Sequence, residues 1–184
     1  MGASLSSLTP GTWNVDPSHA TVGFTARHLM VTKVRGRFTG FSGSLTIADE
    51  PLASSVEATV EMASVSTGDG GRDGHLQSPD FFDVAQFPTM TFTSTSIERD
   101  GDDDDEFLLH GDLTIKGVTK QVTFELEFEG VATDPWGNTK AGFTAETEIN
   151  RKDWGLEWNV ALEAGGVLVG EKIKLQLDIQ AVKA

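Results

Sequence analysis

Lys172-Ile173-Lys174-Leu175-Gln176-Leu177-Asp178-Ile179-Gln180-Ala181 alternates polar and apolar residues without a break. Successive strand residues point to opposite faces, so this stretch has one dry side and one wet side. The same pattern recurs upstream. Val122, Phe124, Leu126 and Phe128 alternate with Gln121, Thr123, Glu125, Glu127 and Glu129. Val56, Ala58, Val60 and Met62 alternate with Glu57, Thr59 and Glu61, and Ala20, Val22, Phe24, Ala26, His28 and Met30 share one parity. A chain built of such strands must press its dry faces together, as a sandwich or a closed barrel. A barrel can also enclose an apolar space large enough for a ligand.

Following the alternation predicts a short strand at 12–16, broken by Pro17, and further strands at 20–30, 37–48, 55–64, 89–98, 107–116, 118–130, 140–149 and 171–182. That makes eight or nine. Gly40 and Gly43 suggest a bulge in a strongly curved strand. Lys116-Gly117-Val118 reads as a tight hairpin, and Arg99-Asp100-Gly101 with the acidic run to Glu106 as a longer one. The run Asp102–Asp105 lacks the alternating ligands and distal glutamate of a calcium loop, so a solvated tip explains it better. Two interruptions in the alternation are expected to carry short helical segments, near 68–86 and 156–164. Residues 1–11 are expected to be a flexible tail before a single domain spanning 12–184.

The 184 residues suffice for a real core. No cysteine is present, which excludes disulfides, thiolate metal sites and cysteine nucleophiles. Twenty-eight acids against fourteen bases give a net charge of −14, which argues against nucleic acid and anionic surfaces as partners. Tyrosine is absent; eleven Phe and four Trp supply the aromatic surface, a bias that suits a dry interior. No stretch approaches the length of a membrane span, and the first residues lack the features of a signal peptide. A cytoplasmic location is the expectation, with a periplasmic or secreted one if the natural chain is longer.

The first interruption reads Gly71-Arg72-Asp73-Gly74-His75-Leu76-Gln77-Ser78-Pro79-Asp80-Phe81-Phe82-Asp83-Val84, followed by Phe87-Pro88 and Phe92. It resembles the signature segment of the YceI-like family, lipid-binding proteins with a lipocalin-like barrel. Trp13-Asn14-Val15-Asp16-Pro17-Ser18-His19 with Val22-Gly23-Phe24 and Arg27-His28 is similar to the family's opening. Gly111–Lys120 resembles its central hairpin. Asn150–Leu156 and Gly165–Gly170 resemble its C-terminal segment. The resemblance implies an all-β fold, a single antiparallel eight-stranded barrel. It also implies an interior holding a long isoprenoid chain, and a homodimer.

Parity alone nominates Phe24, Ala58, Val60, Met62, Phe92, Phe124, Leu126 and Phe143 for the ligand-binding wall. Phe81 and Phe82, in a connection, are candidates for one barrel mouth. His28 shares the parity of Phe24 and is the candidate polar group for a ligand head, such as a quinone carbonyl or an alcohol. A neutral imidazole satisfied by a barrel neighbour is the plainer reading and the preferred one. His75 sits near Arg72 and Asp73, which could form a structural ion pair. No two histidines have the spacing of a metal site, and no nucleophile elbow or phosphate loop is present. The leading expectation is a non-enzymatic binder, store or carrier of a long apolar ligand, a polyisoprenoid lipid or isoprenoid quinone, with no cofactor and no metal. The alternatives are an enzyme acting on a lipid or small acyl substrate with His28 as acid or base, and a packed barrel working through its acidic exterior.

Overall fold

The structure is a computed structural model and describes residues 5–160, 162 and 168–184. Among the described residues eleven strands follow one another in chain order: β1 (Gly11–Val15), β2 (Thr21–His28), β3 (Thr32–Phe38), β4 (Phe41–Ile47), β5 (Ser55–Glu61), β6 (Val65–Ser66), β7 (Thr89–Arg99), β8 (Glu106–Ile115), β9 (Val118–Thr133), β10 (Thr139–Asn150) and β11 (Lys172–Lys183). One α-helix, α1 (Gly70–Gln77), lies between β6 and β7.

The first six strands are three long ones, each broken once. β1 and β2 both pair with β11, β3 and β4 pair with β2 and β1 respectively, and β5 and β6 pair with β4 and β3. Pro17 makes the first break, having no N–H for the ladder, and the Asp16 carboxylate accepts the Ser18 N–H at 3.1 Å to cap the turn. The second break falls at Thr39–Gly40, where a Cβ on Gly40 would meet the Glu61 carboxylate at 2.6 Å. The third is a turn at Met62–Ser64. Counting each pair as one strand, eight antiparallel strands run in simple meander order, and β11 closes on β1 and β2. Closure removes the sheet edges that a sandwich would leave.

Because the meander is antiparallel, its connections alternate between ends. The upper end carries the β2–β3 turn, the α1 connection, the β8–β9 turn and the β10–β11 connection. The lower end carries residues 5–10, a short turn at Pro51–Ala53, the acidic β7–β8 turn and the β9–β10 turn.

The alternation read from β11 is seen directly. Leu175, Leu177 and Ile179 face inward, while Lys174 and Lys172 face out and pair with Glu146 and Glu148 on β10 at 3.5 and 3.9 Å. Two sequence expectations shift. The strand expected from 37 begins at Thr32, and Met30 is not inward on its neighbour but half-exposed in the turn between them. The second helical segment lies at Arg151–Trp154; Leu156–Val160 is irregular, and residues 161, 163 and 164 of the expected segment lie outside the described residues.

Residues 5–10 cap the lower end. Leu8 is buried, Leu5 packs beside it, and the Trp13 indole, wholly buried, donates to the Thr9 carbonyl at 3.0 Å.

Candidate ligand-binding lumen

Inward-facing side chains leave an apolar space of about 190 Å³ inside the barrel. Its wall takes Leu45 from β4, Ala58 and Val60 from β5, Phe92 from β7, Leu109 from β8, Phe124 and Leu126 from β9, Phe143 from β10 and Leu177 from β11. Two local devices keep it open. Gly111 faces inward, and the Phe92 ring lies flat over it; an added Cβ would sit 2.3 Å from the ring. Gly43 is paired with Ala58, so two small residues meet across neighbouring strands where larger ones would fill the lumen. Phe92 and Phe124 meet edge-to-face at 5.4 Å, a favoured aromatic arrangement that stiffens the wall.

Above the space, Phe24, Phe38 and Phe82 form a chain of tilted rings, 5.6 and 6.0 Å apart. Gly36 admits the Phe24 ring as Gly111 admits Phe92. Trp154, buried, donates its indole N–H to the Leu113 carbonyl at 2.9 Å. Arg151 is buried and forms no ion pair among the described residues; its guanidinium donates to the carbonyls of Leu156, Val169 and Gly170 and ties the β10–β11 connection together. Burial lowers its pKa, with Glu171 opposing.

The nominated residues divide. Ala58, Val60, Phe92, Phe124, Leu126 and Phe143 come together around the space. Phe24, Met62 and Phe82 belong to the apolar packing above it, Met62 being buried where the chain turns beneath Pro88. Phe81 is buried at the upper end, with its ring 5.1 Å from His75, 5.5 Å from Trp158 and below the Arg151 guanidinium. His28 is the last residue of β2, pairs with Thr32 and bridges to Val169, away from the lumen wall. Asp83, the buried carboxylate of the α1 connection, accepts from Gln86 at 2.8 Å.

Arg72 and Asp73 do not pair with each other; both hold Thr67. Arg72 donates to its hydroxyl and carbonyl at 2.8 and 3.0 Å, and Asp73 accepts from its N–H and hydroxyl at 2.8 and 2.6 Å. Leu5, Leu8 and Leu52 also reach the space, and no alternation marks them because they lie off the strands. Leu45, Leu109 and Ile179 do carry the inward parity, so the same rule could have named them.

The chemistry of this lumen is that of a solvent for hydrocarbon. Its polar contributors are few: Ser54, Ser55 and Glu57 on β5 and its preceding turn, Ser42 on β4 and Thr91 on β7. Among the described residues no buried side-chain polar atom lacks a partner, and no group of His, Asp and Glu could hold a metal ion. The carboxylates with shifted pKa stand elsewhere. Asp16, Asp69, Asp134 and Glu171 are held below the usual range, chiefly by hydrogen bonds from Ser18, Arg72, Asn138 and Lys152 respectively. Glu106 is raised, chiefly by repulsion from Asp103.

The sequence pattern of the YceI-like domain matches residues 13–181. The chain belongs to the YceI-like family. "Protein YceI" of Escherichia coli O17:K52:H18 is 41% identical over 166 residues, covering 90% of this chain and 82% of that protein. Among solved structures, Burkholderia cenocepacia BcnA superposes with a TM-score of 0.74 at 22% identity, over 90% of this chain and 98% of that one. A polyisoprenoid binding domain from Saccharophagus degradans, implicated in plant cell wall breakdown, superposes with a TM-score of 0.71 at 15% identity, over 96% of this chain and all of that domain. These two likenesses concern the fold. For the YceI-like barrel in hand, Gly165–Val167 of the expected C-terminal motif lie outside the described residues.

Proposed function

We propose that this YceI-like barrel binds a long apolar chain, a polyisoprenoid or the tail of an isoprenoid quinone, and stores or carries it. The observation that carries the reading is the lumen: an apolar space whose wall presents hydrocarbon from all eight strands of the barrel, each broken pair counted as one. The fold likeness to a domain described as polyisoprenoid binding supports the choice of tail. Burial supplies the affinity. Each CH₂ removed from water contributes about 0.8 kcal/mol, so one five-carbon isoprene unit gives about 4 kcal/mol before the cost of ordering the tail.

The free space is of the order of a cavity that holds one benzene ring, about 150 Å³. A tail longer than about one or two isoprene units therefore displaces side chains at the ends of the lumen. Phe24 and Phe38 fill the upper side, and Leu5 and Leu8 the lower. Glu57, exposed on β5, is the charged residue in the lumen lining, so selection along the tail acts on shape and length, and the head group stays near solvent. A homodimer goes with this reading and is measured by sedimentation.

The direct test is uptake of a fluorescent polyprenol by the purified protein. Ala58→Trp places an indole in the middle of the lumen and is expected to cut uptake at least tenfold while leaving the β-sheet circular dichroism unchanged. Uptake equal to that of the unaltered protein would place the ligand outside this space.

A further inference from the structure

The acids of this chain are unevenly placed. No Asp or Glu occurs from 17 to 48, although the protein as a whole carries a net charge of −14. That stretch contains Arg27, Lys33, Arg35 and Arg37, all exposed on the outer face of the β2–β3 hairpin. Arg27 faces Lys33 across the pair, while Arg35 and Arg37 continue the row opposite Thr25 and Gly23. None of the four takes part in an ion pair among the described residues, in contrast to Lys172 and Lys174 on the adjoining strand.

The tip of the same hairpin is apolar and exposed: Leu29 44%, Met30 50% and Val31 74%. Leu29 and Met30 both have positive φ, 55° and 61°, and the Val31 N–H reaches the His28 carbonyl at 3.3 Å to close the turn. A turn with two left-handed residues favours Asn-Gly; leucine and methionine are strained there and, being half-exposed, recover little by burial. The apolar tip continues sideways: Leu29 bonds to Leu168, Leu168 to Val160, and Val160 is 46% exposed. Folding alone gives no reason to place large apolar side chains at a strained, solvent-facing tip above a row of unpaired cations.

We propose that the β2–β3 hairpin docks the barrel onto an anionic lipid bilayer, with Leu29, Met30 and Val31 entering the interface and the four cations meeting the headgroup phosphates. An apolar tip and a basic stem are the two complementary signals that reversible membrane binding needs. The net charge of −14 opposes contact by the barrel as a whole, and the hairpin escapes this because the acids lie elsewhere. The acidic β7–β8 turn lies at the opposite end of the barrel, one strand of 11 residues away. At ~3.3 Å rise per residue and a tilt of roughly 40° that is roughly 25 Å, about three Debye lengths at physiological salt. Repulsion of that end favours the hairpin-down orientation. Among the described residues, acids of the upper end sit on the other connections: Asp69, Asp73, Asp80 and the buried Asp83 on one, and Asp153, Glu157 and Glu171 on another, with Glu171 paired to Lys152 at 2.8 Å, so contact is made by the hairpin corner. The inference does not depend on what occupies the lumen.

Flotation of the full chain with vesicles tests it, using phosphatidylcholine alone and a three-to-one mixture of phosphatidylcholine with phosphatidylglycerol. The protein is expected to float with the anionic vesicles only, and to be released as salt rises to about 0.5 M. Val31→Asp and the double change Lys33→Glu, Arg35→Glu should each cut the bound fraction at least tenfold, while Lys120→Glu, exposed on β9, should not. All four positions are exposed, and circular dichroism checks each fold; if Val31→Asp fails to fold, the stem variant decides. Absence of flotation, equal binding to neutral vesicles, or equal binding by the variants would overturn the proposal. So would a dimer, seen by sedimentation, that Val31→Asp dissolves without any flotation, since the tip would then serve a second copy.

Discussion

Gly111 has no side chain because the Phe92 ring occupies the space, and the ring lies flat because Gly111 has none. Gly111→Ala forces the ring into the lumen, and such overpacking costs roughly 1–3 kcal/mol. Arg151 shows the opposite kind of dependence. Its three carbonyl partners are held by one buried cation, so Arg151→Met leaves them to find water or stay unpaired. The expected loss is about 3 kcal/mol, a fall in Tm of roughly 6–12 °C by calorimetry for a chain of this size; an unchanged Tm would mean that the β10–β11 connection is held by other contacts. Residues such as Gly111 are hard to assign in sequence. His110-Gly111-Asp112 reads as a weak point in a strand, and only the facing strand supplies the ring that explains it. His28 was misleading for a related reason: parity tells which face of a strand a residue takes, not how far along the barrel axis it lies.

At the scale of elements, the strands whose apolar positions are filled by Leu, Ile, Val and Phe were legible, above all β9 and β11. Alternation marks β3 only from Arg37, because Thr32-Lys33-Val34-Arg35-Gly36 offers one apolar side chain and one glycine inward, too little contrast to register. The lower cap was missed because Leu5 and Leu8 obey no strand period; they matter through tertiary contact alone. Leu8→Ala, at a buried position, is expected to cost about 2–3 kcal/mol and lower Tm by roughly 4–12 °C. A loss within error would return residues 5–10 to the status of a tail. The α1 connection was expected as helical, and its N-cap explains why it forms: the Asp69 carboxylate accepts the Arg72 N–H at 3.1 Å, which lets an otherwise glycine-rich turn begin.

The whole molecule is governed by closure and by charge. A net charge of −14 repels itself, so lowering the pH from 7 towards about 5 neutralises part of it and should raise Tm. Protonating Glu106, whose pKa is raised by Asp103, acts in the same direction, because the strain of that charge in the folded state is relieved. Asp16, Asp69, Asp134 and Glu171 act the other way. Their folded pKa values lie below the ordinary 3.8 and 4.5, so their stabilisation is complete above that range and is lost as pH falls through the folded values. Thermal melts should therefore show a maximum near pH 5 and a decline below about pH 4; a Tm still rising at about pH 3 would contradict this assignment of the carboxylates.

The central proposal, that this barrel binds a hydrocarbon chain, rests on the apolar lumen inside the closed meander. Native mass spectrometry of the purified protein, followed by organic extraction and mass analysis of what is released, tests it most directly. The account predicts a bound species at close to one per barrel that extracts as an isoprenoid, or its appearance after incubation with polyprenyl lipids. A protein that keeps its bare mass through that incubation would contradict it.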